Sequence, residues 1–219
     1  MVRNSIPNFF TLSNLACGFM SILMSFQGNF KLAAIFVLLA GVMDRYDGVI
    51  ARYLDVSSEI GKELDSLADL VSFGVAPSIL IFCHYNLMDL GFLGYAIVLI
   101  FPIAGAYRLA RYNCSSFDGI FMGVPITIAG SFMALFSLLS LRNPSNLALP
   151  VIFMVILSYL MVSKLKIKKV WEFSHLILLA LIHYLVHLKY IESPSALLLP
   201  PTSIYNSGYI HSLYYLVHQ

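Results

Sequence analysis

Five stretches of this chain run without a single Asp, Glu, Lys or Arg: Asn4–Phe30, Leu70–Met88, Leu90–Tyr107, Gly119–Leu141 and Asn143–Ser163. Each approaches or exceeds the roughly 20 residues that an α-helix needs to cross a bilayer. Only 11% of the 219 residues are charged and 59% are hydrophobic, where a soluble domain carries about 25% charge. So few charges cannot cover a water-facing surface, so lipid is the main solvent. Backbone groups in lipid must bond within the chain, and the period-2 alternation of a barrel is absent, which leaves helices.

The expected fold is therefore all-α, a polytopic helical membrane protein. Six core spans are read at about 7–27, 31–54, 60–85, 92–112, 121–141 and 146–163. Two more are expected at about 171–188 and 195–217, the last interrupted by Pro200, Pro201, Thr202, Ser203, Asn206 and Ser207. The whole chain, 1–219, reads as one integral membrane domain: a six-helix core over about 5–165 and additional C-terminal helices over about 166–219. The start does not resemble a cleaved leader, since Arg3 is its one basic residue and no small-residue cleavage site follows. With the N-terminus inside, ten Lys and Arg fall on the cytoplasmic face and only Lys31, Arg142 and Lys189 on the other. That bias places the ends of spans two, three and four at the cytoplasmic side of the cell membrane. Cys17, Cys83 and Cys114 have neither disulfide nor metal spacing and read as buried thiols.

The acidic residues are not scattered. Seven of eleven lie between Asp44 and Asp69, in MDRYDGVIARYLDVSSEIGKELDSLADLVSFGVAP, which starts at Met43. Asp44 and Asp47 are three apart and share a helix face with Gly48 and Ala51. On the next helix Asp65 and Asp69 are four apart, with Gly61 four before Asp65 on the same side. Small residues let helices approach and leave room for a ligand. Carboxylates gathered at a membrane edge repel unless cations neutralise them, and all-oxygen donors suit hard divalent ions such as Mg²⁺ or Mn²⁺. Two such ions would clamp a phosphoryl or pyrophosphate group. The ordinary alternative, solvated loop acids, fits poorly because Asp44 follows twelve uncharged residues on one continuous helix.

The segment fits D-x2-D-G-x2-A-R-x8-G-x3-D-x3-D at all eight fixed positions: Asp44, Asp47, Gly48, Ala51, Arg52, Gly61, Asp65 and Asp69. In this it resembles the CDP-alcohol phosphatidyltransferases. The opening NFFTLSNLACGF, the continuation DSLADLVSFGVAP and the later YRLARYN look like the branch of that family that forms phosphatidylserine. The resemblance covers roughly residues 5–130.

It implies transfer of a phosphatidyl group from CDP-diacylglycerol to L-serine, with two divalent ions per site and the membrane lipids as surroundings. Asp44, Asp47 and Asp65 would be metal ligands, and Asp69 both a ligand and the general base. Arg52 would hold the pyrophosphate, and Gly48, Ala51 and Gly61 would admit the nucleotide end of the donor. Asn8 and Thr11 are further polar contacts for the donor, or else an interfacial helix cap. Arg108 and Arg111 are three apart at the end of span four, and either could pair with the carboxylate of serine or anchor the span at the interface. The family implies a homodimer, and no nucleic-acid partner is expected. His183 and His187, four apart, have no acidic partner nearby and are not read as a metal pair.

Two rivals stand beside this reading. One keeps the chemistry and changes the acceptor to glycerol 3-phosphate, inositol phosphate or another amino alcohol. The other is a cation-coupled transporter using the same carboxylates, but transporter sites lie near the midplane and often come with inverted repeats. This cluster lies at one edge, and the chain has no repeat.

Overall fold

The computed structural model describes residues 2–54, 58–114, 121–142 and 147–167. All of them lie in one unit, Met1–Leu179. The two expected C-terminal spans, together with His183 and His187, fall outside the described residues. What is described is a polytopic helical membrane protein. Three of its helical stretches, Pro7–Phe26, Glu59–His84 and Phe92–Cys114, are long and apolar enough to cross a membrane, and two apolar helices are shorter.

Helix α1 (Val2–Phe26) and helix α2 (Phe30–Leu54) pack along each other as a hairpin. Their turn is written locally. Gly28 takes φ +73°, its N–H bonds Ser25 O at 3.1 Å, and the Asn29 N–H reaches back to Met24 O at 2.9 Å. These two bonds close the end of α1, and a side chain on Gly28 would be strained. Asn29 then starts α2, its Oδ1 accepting the Leu32 N–H at 3.2 Å.

Helix α3 (Glu59–Asp69) begins at Ser58, whose hydroxyl accepts the Gly61 N–H at 3.0 Å. It leads without a break into a π-helical segment, Leu70–Val75, and on into α4 (Ala76–His84). A π turn carries an extra residue, so the face presented shifts along the helix. Here Ser72, Phe73 and Gly74 are all buried in succession. Room for the wider turn comes from small residues on its neighbours. A methyl on Gly18 of α1 would strike Ser72, with the Ser72 Cα at 2.7 Å, and one on Gly41 of α2 would touch the Phe73 ring at 3.7 Å. The continuous helix of the third expected span is therefore observed with one local widening, directly after Asp69.

A 3₁₀ turn at Leu87–Leu90 connects to α5 (Phe92–Cys114). The remaining elements are β1 (Phe121–Met122), α6 (Ile126–Leu139), a 3₁₀ turn (Ser140–Arg142), α7 (Ala148–Val162) and β2 (Lys166–Ile167). Strands β1 and β2 pair antiparallel, Phe121 with Ile167 and Met122 with Lys166. The fifth span, read from residue 121, thus starts five residues later, because its first residues are extended in this pairing. Gly130 of α6 has no Cβ, and one there would run into the Phe73 backbone, with the Phe73 Cα at 2.6 Å.

Several buried serines bond their own helix. Ser25, Ser78 and Ser158 donate to the carbonyls of Ser21, Gly74 and Met154 at 2.7–2.9 Å. Back-bonding of this kind lets a hydroxyl sit in an apolar bundle without another partner. The cysteines are free, as expected, but not uniformly buried: Cys17 and Cys83 are half-buried, and Cys114 is exposed at the end of α5.

Candidate active site

Helix α1 packs along α2 and against α3, and acidic side chains from the C-terminal half of α2 and from α3 meet beside it. Three carboxylates meet there. Asp44 and Asp47 from α2 and Asp65 from α3 each bring an oxygen to within 4.8 Å of the other two. Helical spacing puts the first two one turn apart, and the α2–α3 approach supplies the third. Asp65 Oδ1 is buried and has no hydrogen-bond partner. An orphaned carboxylate oxygen beside two more carboxylates suits a hard divalent cation, whose ligands are oxygens.

Asp69 belongs to the same cluster but has different company. Its carboxyl contacts that of Asp44, and its Oδ1 accepts a hydrogen bond from Asn14 Nδ2 at 3.1 Å. It is only 7% exposed, as is Asp47. Asp47 in turn is held by α1, the Thr11 hydroxyl lying 3.0 Å from its Oδ2 and 3.2 Å from Pro7 O. Thr11 and Asn14 are fully inside the bundle. Helix α1 therefore grips one carboxylate on α2 and one on the α3 helix, a turn apart along its own length.

Beside the three converging carboxylates lies a cavity of about 250 Å³ lined by Pro7, Asn8, Thr11, Asp47, Gly48, Ala51, Ser58, Gly61, Lys62 and Asp65. Five residues expected to contact a nucleotide donor, Asn8, Thr11, Gly48, Ala51 and Gly61, are thus brought onto one surface. The glycines earn their place by space. A Cβ at Gly61 would come 2.9 Å from Ser58 Oγ and 3.4 Å from Asn8 Oδ1, and one at Gly48 would sit under the Arg52 guanidinium at 3.5 Å. Arg52 itself lies off the lining, above Gly48, where its charge acts on Asp47.

The two arginines of α5, expected on one face, part company. Arg108 is 8% exposed, its charge acts on Asp69, and its Nε has no partner. Arg111 turns to the end of α7. Its Nη1 donates to Val162 O at 2.8 Å and its Nη2 to Met122 O at 3.0 Å, with Met161 O and Ser163 O at 3.4 Å. Carbonyls in the last turn of a helix have no partner within it, and a guanidinium satisfies several together. Gly123, at φ +78°, lets β1 run against these same carbonyls, and its N–H bonds Leu165 O at 2.9 Å. Arg111→Ala is expected to loosen this junction, lowering the thermal midpoint of the detergent-solubilised protein by about 2–6 °C. Thermal unfolding followed by circular dichroism checks it, and an unchanged midpoint would show that the junction holds without the guanidinium.

Sequence reasoning passed over Asn14, Ser58 and Lys62. For Asn14 a signal existed: Asn8, Thr11 and Asn14 recur at three-residue intervals in a span free of charge, and polar groups at such depth are expensive unless used.

A family profile described as CDP-alcohol phosphatidyltransferase matches residues 4–163. A Bacillus subtilis protein named CDP-diacylglycerol–serine O-phosphatidyltransferase is 40% identical over 164 residues, 74% of this chain and 89% of that protein. A Helicobacter pylori protein of the same name is 36% identical over 202 residues, 86% of this chain and 84% of that one. An archaetidylserine synthase of Methanothermobacter thermautotrophicus is 32% identical over 170 residues, 76% and 70% of the two chains. With the profile spanning most of its length and the signature carboxylates gathered at one site, this chain belongs to the CDP-alcohol phosphatidyltransferase family.

Proposed function

We propose that this enzyme transfers the phosphatidyl group of CDP-diacylglycerol to the hydroxyl of L-serine, giving phosphatidylserine and CMP. The observation that carries the proposal is the convergence of Asp44, Asp47 and Asp65 at the wall of a cavity lined by Asn8, Gly48, Ala51 and Gly61. The names of the relatives at 36–40% identity support serine as the acceptor.

Asp44, Asp47 and Asp65 would hold Mg²⁺ or Mn²⁺, two ions per site, with Asp69 adjoining. When bound, the ions neutralise the pyrophosphate and the charge that gathers on its oxygens during transfer. The nucleotide lies in the cavity against Gly48 and Ala51, and Arg52 offers its planar donors to the pyrophosphate. The acyl tails stay in the bilayer, at the cytoplasmic face of the cell membrane, which accounts for carboxylates at the helix ends. The serine Oγ forms a bond to the lipid-side phosphorus as the bond from that phosphorus to the oxygen of CMP breaks. The hydroxyl proton passes to Asp69, because an alcohol at neutral pH needs a base during attack. Arg108, beside Asp69, is the better placed of the two α5 arginines to meet the carboxylate of serine, since the Arg111 guanidinium is occupied by carbonyls. The catalytic core is residues 5–165, and the protein acts as a homodimer.

Purified protein in detergent, given CDP-diacylglycerol and Mn²⁺ or Mg²⁺ with serine, glycerol 3-phosphate or inositol phosphate in parallel, tests the proposal. The expected result is serine-dependent release of CMP and formation of phosphatidylserine, abolished by EDTA and restored by added metal. Turnover with a different acceptor alone would overturn serine, and metal-independent turnover would overturn the role of the carboxylates.

A further inference from the structure

Buried polar atoms without partners are rare in folded proteins, and inside a membrane bundle each is costly. Among the described residues, three such atoms belong to side chains that are part of the carboxylate group or interact with it: Asp65 Oδ1, Asn14 Oδ1 and Arg108 Nε. The first is accounted for by the cation site. The other two are an acceptor on α1, whose amide bonds Asp69, and a donor on α5, whose charge acts on Asp69.

The orientation of Asn14 is not arbitrary. Its Nδ2 donates to Asp69 Oδ1 at 3.1 Å, and a flipped amide would set an oxygen against a carboxylate. Its main chain is held as well, because Ser72 of the π segment donates to Asn14 O at 2.9 Å. The unpartnered Oδ1 is therefore a fixed acceptor on a side chain with no solvent exposure. Arg108 is nearly as buried, and its charge acts on Asp69 from α5.

We propose that Asn14 and Arg108 form the subsite for the amino-acid head of the acceptor. The Asn14 carboxamide oxygen takes the ammonium and the Arg108 guanidinium takes the carboxylate, with Asp69 between them facing the hydroxyl. A zwitterionic amino acid needs one acceptor and one cationic donor, and Asn14 Oδ1 and Arg108 Nε are an unpaired acceptor and donor on two side chains that act on the base. An acceptor phosphate, as in glycerol 3-phosphate, offers no ammonium to satisfy Asn14. The inference rests on the reading of the acceptor as serine and assigns that acceptor its two recognition contacts.

The test uses the whole protein in detergent with CDP-diacylglycerol and Mn²⁺. L-Serine is compared with 3-hydroxypropionate, which lacks the ammonium, and with ethanolamine, which lacks the carboxylate, as acceptors or as competitors of serine. In the unsubstituted enzyme each deletion should weaken recognition roughly 10- to 100-fold, as loss of a charge-assisted hydrogen bond does. Asn14→Leu also removes the hydrogen bond to Asp69, so kcat/KM should fall with both acceptors, but roughly 10- to 100-fold further with serine than with 3-hydroxypropionate, so that the preference collapses. Arg108→Gln should do the same to the preference over ethanolamine, and both variants should keep the KM for CDP-diacylglycerol within about twofold. Equal losses with serine and 3-hydroxypropionate in Asn14→Leu would overturn the ammonium contact and leave Asn14 only holding Asp69. If either variant fails to fold, the unsubstituted enzyme decides: less than threefold discrimination against both analogues overturns the subsite. An enzyme that uses glycerol 3-phosphate and ignores serine would instead sink the acceptor assignment on which the inference stands.

Discussion

Asp69→Asn is expected to slow phosphatidyl transfer by roughly 10²- to 10⁴-fold while leaving the fold intact, the range over which a positioned general base contributes. The substitution keeps the shape of the side chain, and its remaining carbonyl oxygen can still accept the hydrogen bond from Asn14 Nδ2. It removes the ability to take a proton. Because Asp44, Asp47 and Asp65 are untouched, KM for CDP-diacylglycerol should change much less than kcat. Steady-state kinetics with serine and the lipid donor check both quantities. A kcat within tenfold of the unsubstituted enzyme would remove Asp69 from the proton transfer. A parallel rise in donor KM would point to a cation-holding role instead.

The second large effect is expected in stability. Gly130→Val drives a branched side chain into the backbone of Phe73, which is buried at the centre of the π segment. Backbone cannot swing aside as the tip of a side chain can, so α6 must separate from the π segment. Overpacking of this kind costs about 1–3 kcal/mol or more, and the thermal midpoint should fall by at least about 4–10 °C. Gly48→Ala makes an instructive contrast. Its new methyl would meet only the Arg52 guanidinium, at 3.5 Å, an ordinary contact. It should therefore leave the midpoint in place and act on donor KM, because Gly48 lines the cavity. If Gly130→Val melts like the unsubstituted protein, the π segment is not held by the close approach of α6.

Several elements were legible because their causes are local. The spans read at about 7–27, 60–85 and 92–112 agree with α1, the α3–α4 helix and α5 to within five residues, because hydropathy over a bilayer length is a property of neighbouring residues. The carboxylate pairs were legible for the same reason, since residues three and four apart on a helix must share a face. Asn14 was missed although its spacing from Thr11 carried a signal, because a lone amide in an apolar span has no meaning until its partner is known.

The π segment shows where local reasoning stops. Nothing in LVSFGV demands an extra residue per turn. The widening depends on the space left by Gly18 and Gly130 on other helices, together with the Ser72 bond to Asn14 O. Likewise, spacing put Arg108 and Arg111 on one face, but the side chains part: one is buried with its charge acting on Asp69, and the other bonds the carbonyls at the end of α7. The pairing of Phe121 with Ile167 shortens the fifth span for a similar reason, since a strand partner 46 positions away exerts no local signature. Hydropathy and helical periodicity, both properties of neighbouring residues, settled the membrane class, the helices and the faces bearing carboxylates. Which carboxylates converge, which arginine is buried and which amide holds Asp69 were decided only by packing, because those arrangements are set by how closely separate helices can approach.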